Sequence, residues 1–175
     1  MPTITPLPVD DPAAHDLLAD YFLMRAATFP GHTYTTVFPD PAAFEPPAGV
    51  FLVLGEGDAN VGCGGIRRIE DGPHGPRYEL KHLYLRPETR GRGWGRLLME
   101  DLERRAAEFG AAELVLDTHH TLEAAGGLYE ATGFVPIDPY NDNPNATRWY
   151  GKSLRDRAIG RPGTAAQPGG GEALA

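Results

Sequence analysis

Apolar runs set between Gly and Pro residues divide the first part of the chain into a short strand, a helix and a long connection. Thr3 to Leu7 predicts the strand, and Asp11-Pro12 opens a helix because the apolar residues after it recur at helical spacing. The helical positions are Leu17, Leu18, Tyr21, Phe22 and Arg25. Pro30 to Pro47 has little periodicity and predicts a long loop or a broken second helix.

A hairpin and a fourth strand follow this connection. The apolar run VFLVL at 50–54 and the segment Asn60 to Ile69 predict two paired strands, because Gly57-Asp58 supplies a tight turn between them. Tyr78 to Leu85 predicts the fourth strand. It ends at Arg86-Pro87, because proline has no N–H to donate to a neighbouring strand.

Helices and strands alternate in the second half of the chain. A glycine-rich turn leads into an amphipathic helix that ends at Gly110, a residue suited to a left-handed C-cap. The apolar face of this helix carries Leu98, Leu102, Ala106 and Phe109. Glu113 to Thr118 is apolar enough to predict a strand inside a sheet.

A last helix and two strands complete the predicted domain. Thr121 is placed to cap a helix that ends at Gly133. Phe134 to Ile137 and Arg148 to Leu154 predict the final strands, with the loop Asp138 to Thr147 between them. This order of elements predicts an α/β (α+β) fold in which helices cover the faces of a mixed sheet.

Composition supports one globular domain. Of 175 residues, 41% are hydrophobic and 23% are charged, which is enough material for a sizeable core. We therefore expect a single domain at 1–154. Residues 155–175 are rich in Gly, Pro and Ala and lack aromatic residues, so we expect them to form a flexible tail.

Charge and cysteine content narrow the classes of function. A formal net charge of −8 disfavours nucleic-acid binding, which needs a basic surface. The single cysteine, Cys63, cannot form an internal disulfide, and no segment approaches the about 20 apolar residues of a membrane helix. We expect a cytoplasmic protein with no nucleic-acid partner, no membrane partner and no metal site. The sequence is compatible with a homodimer.

The segment Arg90-Gly91-Arg92-Gly93-Trp94-Gly95, between the fourth strand and the following helix, is suited to binding an anion. A helix start leaves backbone N–H groups unpaired, and glycine lets a ligand approach them closely. The arginines add full positive charges, so a diphosphate is the predicted guest. A bare Gly-x-Gly-x-Gly would more often be only a tight turn, but the interleaved arginines and the amphipathic helix favour the anion site.

Two better-known glycine loops do not fit this spacing. A P-loop ends in Gly-Lys-Ser/Thr, whereas Gly95 is followed here by Arg96 and Leu97. The dinucleotide-binding fingerprint needs a third glycine where Arg96 stands. The spacing therefore disfavours ATP and NAD as the ligand.

These residues resemble the GNAT family of acetyl-CoA-dependent acyltransferases. The family motif Arg/Gln-x-x-Gly-x-Gly/Ala matches Arg90, Gly93 and Gly95. A second family feature, Ala-x-x-Leu-Tyr followed by Gly-Phe, matches 125–129 and Gly133-Phe134. The resemblance spans residues 48–154, and the amino-terminal third matches in the order of its elements only.

The resemblance implies a GNAT-like, mostly antiparallel sheet of six to seven strands that splays open between strands 4 and 5. Acetyl-CoA, the acyl donor, then inserts its pantetheine arm into the gap, along the backbone of Leu83, Tyr84 and Leu85. Its pyrophosphate lies on the turn. The turn residues so assigned are Arg90, Gly91, Arg92, Gly93, Trp94, Gly95 and Arg96.

The resemblance also assigns an acid. Expulsion of a thiolate requires a proton, and Tyr129 matches the tyrosine that supplies it in many family members. A core aromatic residue with its hydroxyl at the rim is the alternative interpretation of Tyr129. The neighbouring Gly133-Phe134 and the phosphate turn favour the catalytic role.

Two residues of the fourth strand are candidates for a base. An alkylammonium with a pKa near ~10.4 is protonated at neutral pH, so transfer to an amine requires a proton acceptor. Glu79 and His82 are the candidates, with water as the alternative acceptor, and strand alternation places the two residues on opposite sheet faces unless a bulge intervenes. For either residue, a purely structural pairing is the alternative.

One position departs from the family pattern. Many relatives carry an asparagine that bonds the pantetheine arm at the position of Leu122, and Thr121 or His120 is a candidate substitute. The hypothesis is an N-acetyltransferase that acetylates a primary amine of a small molecule by direct attack in a ternary complex. A non-catalytic acyl-CoA-binding domain and a protein or peptide N-acetyltransferase are the alternatives.

Overall fold

The computed structural model describes residues 1–31 and 33–155. The predicted tail, apart from Arg155, lies outside the described residues. Seven strands form one sheet in the order β1-β2-β3-β4-β5-β7-β6, in which only β4 and β5 are parallel. The strands are β1 (Thr3–Pro6), β2 (Gly49–Glu56), β3 (Ala59–Gly72), β4 (Gly75–Leu85), β5 (Glu113–Thr118), β6 (Val135–Pro136) and β7 (Arg148–Ser153). The predicted mixed, mostly antiparallel sheet is confirmed.

Three α-helices flank the sheet. They are α1 (Pro12–Thr28), α2 (Trp94–Glu108) and α3 (Glu123–Ala131). The side chain of Asp11 caps α1 by accepting a hydrogen bond from the Ala13 N–H at 2.9 Å. The predicted cap at Thr121 is wrong, because Leu122 occupies the N-cap of α3 and makes no side-chain cap bond. Oγ1 of Thr121 instead lies 2.7 Å from Nδ1 of His119.

The long connection at 30–47 contains one 3-10 turn, Pro41–Phe44, so the structure has no second α-helix among the residues described there. The core divides between the two faces of the sheet. On β2, Val50, Leu52 and Leu54 pack with α2, whereas Phe51 and Val53 pack with α1. Burial on both faces explains why this strand is a continuous apolar run.

A bulge in β4 controls which side chains face α1. Lys81 pairs with Gly65 and Tyr84 pairs with Cys63, so β4 carries one residue more than β3 between these pairs. His82 lies in this bulge, and its φ of 57° is in the left-handed region. Alternation is thereby reset: Leu80 and Leu83 both pack on the α2 face. Glu79 and His82 therefore both point to the α1 face, which is the exception that the alternation rule allowed.

The sheet splays between β4 and β5, as expected from the family resemblance. Their pairing covers only Arg77–Glu79 of β4 against Glu113–Val115 of β5. From Leu80 onward, no strand in the described part of the chain pairs with β4 on that side. The gap opens toward the start of α2. In the part of the chain that is described, no helix is long and apolar enough to cross a membrane, and the cytoplasmic location stays a prediction.

Candidate active site

A cavity of about 1160 Å³ occupies the gap between β4 and β5 and extends on both sides of it. One half is lined by the phosphate turn, the end of β4 and α3, and we call it the donor half. The other is lined by α1, the connection after it and the loop 141–145, and we call it the acceptor half. Because one cavity joins the two halves, a ligand in each could meet at the gap.

The turn before α2 presents a row of unpaired backbone donors. Gly91 and Gly93 have φ values of 78° and 79°, which are left-handed conformations that glycine adopts without strain. The first helical N–H to find a partner is that of Leu97, which donates to the Gly93 carbonyl at 3.2 Å. Among the described residues, the N–H groups of 91–96 have no backbone or side-chain acceptor. This geometry suits an anion.

The arginines of the turn are used differently from one another. Arg90 and Arg96 line the cavity, and Nε of Arg90 donates to the Leu85 carbonyl at 3.1 Å. Arg92 does not line it. Its guanidinium pairs with Glu56 at 3.0 Å and lies 4.9 Å from the ring centroid of Trp94. Of the predicted phosphate-binding arginines, Arg92 is therefore already held by the protein.

The end of β4 supplies a free backbone edge. Leu83, Tyr84 and Leu85 line the cavity, next to the segment where β4 has no partner strand. The side chain of Tyr84 is buried on the α1 face, whereas those of Leu83 and Leu85 pack toward α2. The contribution of Tyr84 to a donor site is thus limited to its backbone.

Tyr129 lies on α3 with its ring packed against Phe134 and Tyr150, each at a centroid distance of 6.0 Å. It is 6% exposed and lines the cavity. Burial raises the pKa of its hydroxyl above the ordinary value of 10, and the Asp117 carboxylate raises it further, while Arg25 lowers it in part. The hydroxyl therefore keeps its proton at neutral pH, as a proton donor must.

His82 lines the cavity at the β4 bulge, among the rings of Tyr21, Phe22 and Phe44. Burial, together with the positive charges of Lys81 and Arg67, lowers the pKa of its imidazole from 6.5 to about 3. Its Nδ1 is buried, and no described residue provides it with a hydrogen-bond partner. The imidazole is consequently neutral in the physiological range, and it is a weak base.

Glu79 is absent from the cavity wall and only 1% exposed. Nε and Nη2 of Arg67 donate to its Oε1 at 3.0 and 2.8 Å, and the hydroxyl of Tyr140 donates to its Oε2 at 2.8 Å. Nζ of Lys81 lies 3.8 Å from Oε1. Both carboxylate oxygens are thus engaged, and Arg67 and Lys81 line the cavity whereas Glu79 does not. The structure brings Tyr129 and His82 to one cavity and leaves Glu79 behind it.

Sequence reasoning missed an acidic group in the acceptor half. Asp117, on β5, accepts hydrogen bonds at its Oδ2 from Asn141 at 2.6 Å and Asn143 at 3.1 Å. Its Oδ1 lies 3.5 Å from Nζ of Lys81, across the gap between β4 and β5. In the sequence, Asp117 is the second-to-last residue of a predicted strand. No local sequence pattern indicated that the 138–147 loop would fold back onto it.

The position that departs from the family pattern also lines the cavity. Leu122 and Thr121 both contribute to the wall, whereas His120 does not and instead bonds Thr147 through Nδ1 at 2.9 Å. Thr121 is therefore the better placed of the two substitutes for the missing asparagine. Within residues 1–31 and 33–155, no group of three or more His, Cys, Asp or Glu side chains could hold a metal ion.

Comparison with known proteins supports the same family. The model of the acetyltransferase (GNAT) family matches residues 12–134. An uncharacterised N-acetyltransferase of Schizosaccharomyces pombe is 37% identical over 103 residues, and the match covers 58% of this chain and 61% of that relative. The chain thus spans about three fifths of the relative's length.

Solved structures show the same fold. A GNAT family acetyltransferase of Staphylococcus aureus superposes with a TM-score of 0.72 at 18% identity, over 88% of this chain and 99% of that one. A GNAT family acetyltransferase of Elizabethkingia anophelis, solved with acetyl-CoA bound, superposes with a TM-score of 0.59 at 16% identity, over 87% and 98% of the two chains. At these identities the likeness concerns the fold.

Proposed function

Because the chain belongs to the GNAT family of acetyltransferases, we propose that it transfers the acetyl group of acetyl-CoA to the primary amine of a small molecule. The observation that carries this proposal is the continuity of the cavity from the phosphate turn to the acceptor half, with Tyr129 on its wall. Acetyl-CoA is bound in the Elizabethkingia structure, and the unpaired N–H groups at 91–96 fit its pyrophosphate.

In the proposed reaction both substrates are bound at once. The amine nitrogen attacks the thioester carbonyl carbon, the new C–N bond forms and the C–S bond breaks. Tyr129 donates its proton to the leaving sulfur and is reprotonated from solvent, and the proton lost by the amine goes to water. Proton transfer of this kind contributes roughly 10²- to 10⁴-fold to rate.

The two predicted bases are poorly suited to direct proton abstraction. An imidazole with a pKa of about 3 is a weak acceptor for the proton of an alkylammonium. The Glu79 oxygens are occupied by Arg67 and Tyr140. We therefore propose that the amine reacts as the free base drawn from solution, that His82 contributes a neutral wall, and that Glu79 positions Arg67 and Lys81.

A small acceptor is favoured over a protein chain by the burial of charge in the acceptor half. The Asp117 side chain is 6% exposed and Arg25 is 3% exposed, although both line the cavity. Charges so deep in a cavity are reached by a compact molecule more easily than by a folded partner. Small-molecule recognition and the ternary mechanism are both parts of this proposal.

Thiol release from acetyl-CoA, followed with amines, amino acids and peptides as acceptors, tests the activity. We expect turnover with at least one small amine, and a higher melting temperature in the presence of acetyl-CoA than with NADH. Stabilisation by acetyl-CoA without turnover on any acceptor would support the acyl-CoA-binding domain instead. Turnover confined to peptides would support protein acetylation.

A further inference from the structure

Arg25 is a buried cation that has no anionic partner among the described residues. It lies in the last turn of α1 and is 3% exposed, yet it makes no ion pair within the described part of the chain. Nη2 donates to the Asn145 carbonyl at 3.2 Å, whereas Nη1 is buried and finds no hydrogen-bond partner in the ranges 1–31 and 33–155. A guanidinium has five N–H donors, so most of its hydrogen-bonding capacity is unused.

Three arginines elsewhere in the structure are neutralised by carboxylates. Arg67 pairs with Glu79 at 2.8 Å, Arg77 with Glu113 at 2.7 Å, and Arg86 with Asp20 at 3.0 Å. The exposed fraction of each of these three arginine side chains is larger than the 3% exposed fraction of Arg25. Leaving the most buried guanidinium unpaired is costly, because a desolvated charge needs both a counter-charge and hydrogen bonds.

The surroundings of Arg25 belong to the acceptor half. Its guanidinium carbon lies 5.1 Å from the ring centroid of Tyr34 and 5.9 Å from that of Phe29. Arg25 lines the cavity that also reaches Tyr129, and its charge acts on the Tyr129 hydroxyl. The other buried side-chain atom without a partner among the described residues, Nδ1 of His82, belongs to the same cavity wall.

We propose that Arg25 binds a carboxylate of the acceptor, so that the acceptor is an amino acid, a small molecule carrying both an amine and a carboxylate. This inference rests on the proposed function and specifies its substrate class. A planar guanidinium matches a carboxylate through paired N–H donors, and the apolar rings around it exclude competing water. The single bond to the Asn145 carbonyl fixes the guanidinium while leaving Nη1 for the ligand.

An acidic group in the same cavity is consistent with an acceptor that carries an amine as well as a carboxylate. Asp117 lies on β5, in the same cavity, and contributes with Arg25 to the electrostatic environment of Tyr129. Lys81 and two asparagines hold its carboxylate in place. A molecule with its carboxylate at Arg25 would thus direct its amine toward the Asp117 and Tyr129 side of the cavity.

The test compares matched acceptors on matched variants. The common L-amino acids and several ω-amino acids are each assayed beside their carboxamides, which keep the amine and lose the carboxylate charge. We expect the wild type to acetylate at least one acid in preference to its amide. Arg25→Gln should lower kcat/KM for that acid by about 10- to 150-fold, mainly through KM, and change the value for the amide less than about 3-fold.

Two controls separate binding from folding. Arg68→Gln removes an exposed guanidinium that pairs with Asp71 and is not part of the cavity wall, so kcat/KM for both acceptors should stay unchanged. Arg25→Lys keeps the charge and should restore part of the preference for the acid. If Arg25→Gln fails to fold, the wild type alone still tests the inference, through the thermal shift that each acid and its amide produce in the presence of CoA.

The outcomes distinguish this inference from the proposed function. Turnover of simple amines or amides with no preference for any acid, or equal losses on acid and amide in Arg25→Gln, would overturn the carboxylate site and leave the acetyltransferase standing. Absence of turnover on every acceptor would overturn the proposed function. In that case a selective thermal shift with an acid but not its amide would still support Arg25 as a carboxylate site, and equal shifts would overturn it.

Discussion

The donor half and the acceptor half of the cavity are built from different materials. The donor half is made mainly of backbone: the N–H groups of 91–96, the left-handed glycines 91 and 93, and the free edge of β4. These backbone groups come from one stretch of chain between Leu83 and Arg96, and α3 completes the wall. Backbone groups need only the right turn, so a short pattern of glycines is enough to specify this half.

The acceptor half is made of side chains brought together from distant parts of the chain. Arg25 comes from α1, His82 from the β4 bulge, Asp117 from β5, and Asn141 and Asn143 from the loop before β7. The charge and the free hydrogen-bonding groups that each side chain offers to a ligand depend on which neighbours pair with it in the fold. The same residue types elsewhere on the sheet form ordinary ion pairs. If the proposed function holds, the donor half would serve any reaction of the cofactor, and the acceptor half would select the substrate.

Tyr129 stands where the two halves meet, and its removal should have the largest effect. We expect Tyr129→Phe to lower kcat by roughly 10²- to 10⁴-fold while leaving acetyl-CoA affinity nearly unchanged, because only the proton donor is lost. Tyr78→Phe is the matched control, since its buried hydroxyl bonds the Pro47 carbonyl outside the cavity. Steady-state kinetics with calorimetric acetyl-CoA binding measures both. Full activity of Tyr129→Phe would show that the acid lies elsewhere.

Damage to the turn should affect the donor half alone. Gly93→Asp places a side chain on a φ of 79° and a negative charge beside the free N–H groups, so acetyl-CoA affinity should fall at least about 30-fold. Gly57→Asp is the control, because Gly57 is also left-handed, with φ 58°, and lies in the β2–β3 turn. Calorimetry compares the two. Equal affinities in both variants would remove the phosphate site from this turn.

The substitution Glu79→Gln tests whether Glu79, which lies behind the acceptor half, has a structural or a catalytic role. Loss of the charge leaves Arg67 without its partner, so the free energy of unfolding should fall by about 1–3 kcal/mol. We expect kcat to change less than about 3-fold. Glu113→Gln breaks the comparable pair with Arg77 and should show the same pattern. A loss of kcat confined to Glu79→Gln, after both proteins are shown to be folded, would restore Glu79 as the base.

The neutral state of His82 predicts an effect on stability that appears only as the pH falls. Its folded pKa of about 3 lies below the ordinary 6.5, so the unfolded chain takes up the proton first as pH falls. Stability from this group is complete above about pH 6.5 and declines toward pH 3, by at most about 1.4 kcal/mol per pH unit. Denaturant unfolding of the wild type and His82→Gln at several pH values should show a shallower decline in the variant.

A second histidine variant is the control for this measurement. His74→Gln removes an exposed histidine in the β3–β4 turn and should keep the wild-type decline. Identical pH dependence in His82→Gln and the wild type would mean that the imidazole is not held neutral in the acceptor half. The buried wall of the acceptor half would then not differ from a solvent-exposed surface in the protonation state of its histidine.

Much of the fold could be predicted from the sequence because its elements are specified locally. The doubly buried VFLVL run, the turn at Gly57-Asp58 and the proline after Leu85 each indicate a strand or its end. The cap of α3 could not be predicted in this way. Thr121 has the right chemistry and spacing, but its hydroxyl is bonded to His119, a competition that only the folded loop creates.

Sequence by itself determined the order of the elements and the strand–turn–helix geometry at 85–96, because backbone conformation follows from glycine, proline and apolar spacing. Only the tertiary structure decided what the side chains of the acceptor half do. The β4 bulge places Glu79 and His82 on one face of the sheet. Arg67 and Tyr140 donate hydrogen bonds to the two oxygens of Glu79. Arg25 is buried where the described residues provide no counter-charge. Protonation and pairing depend on neighbours far away in the chain, which no local pattern records.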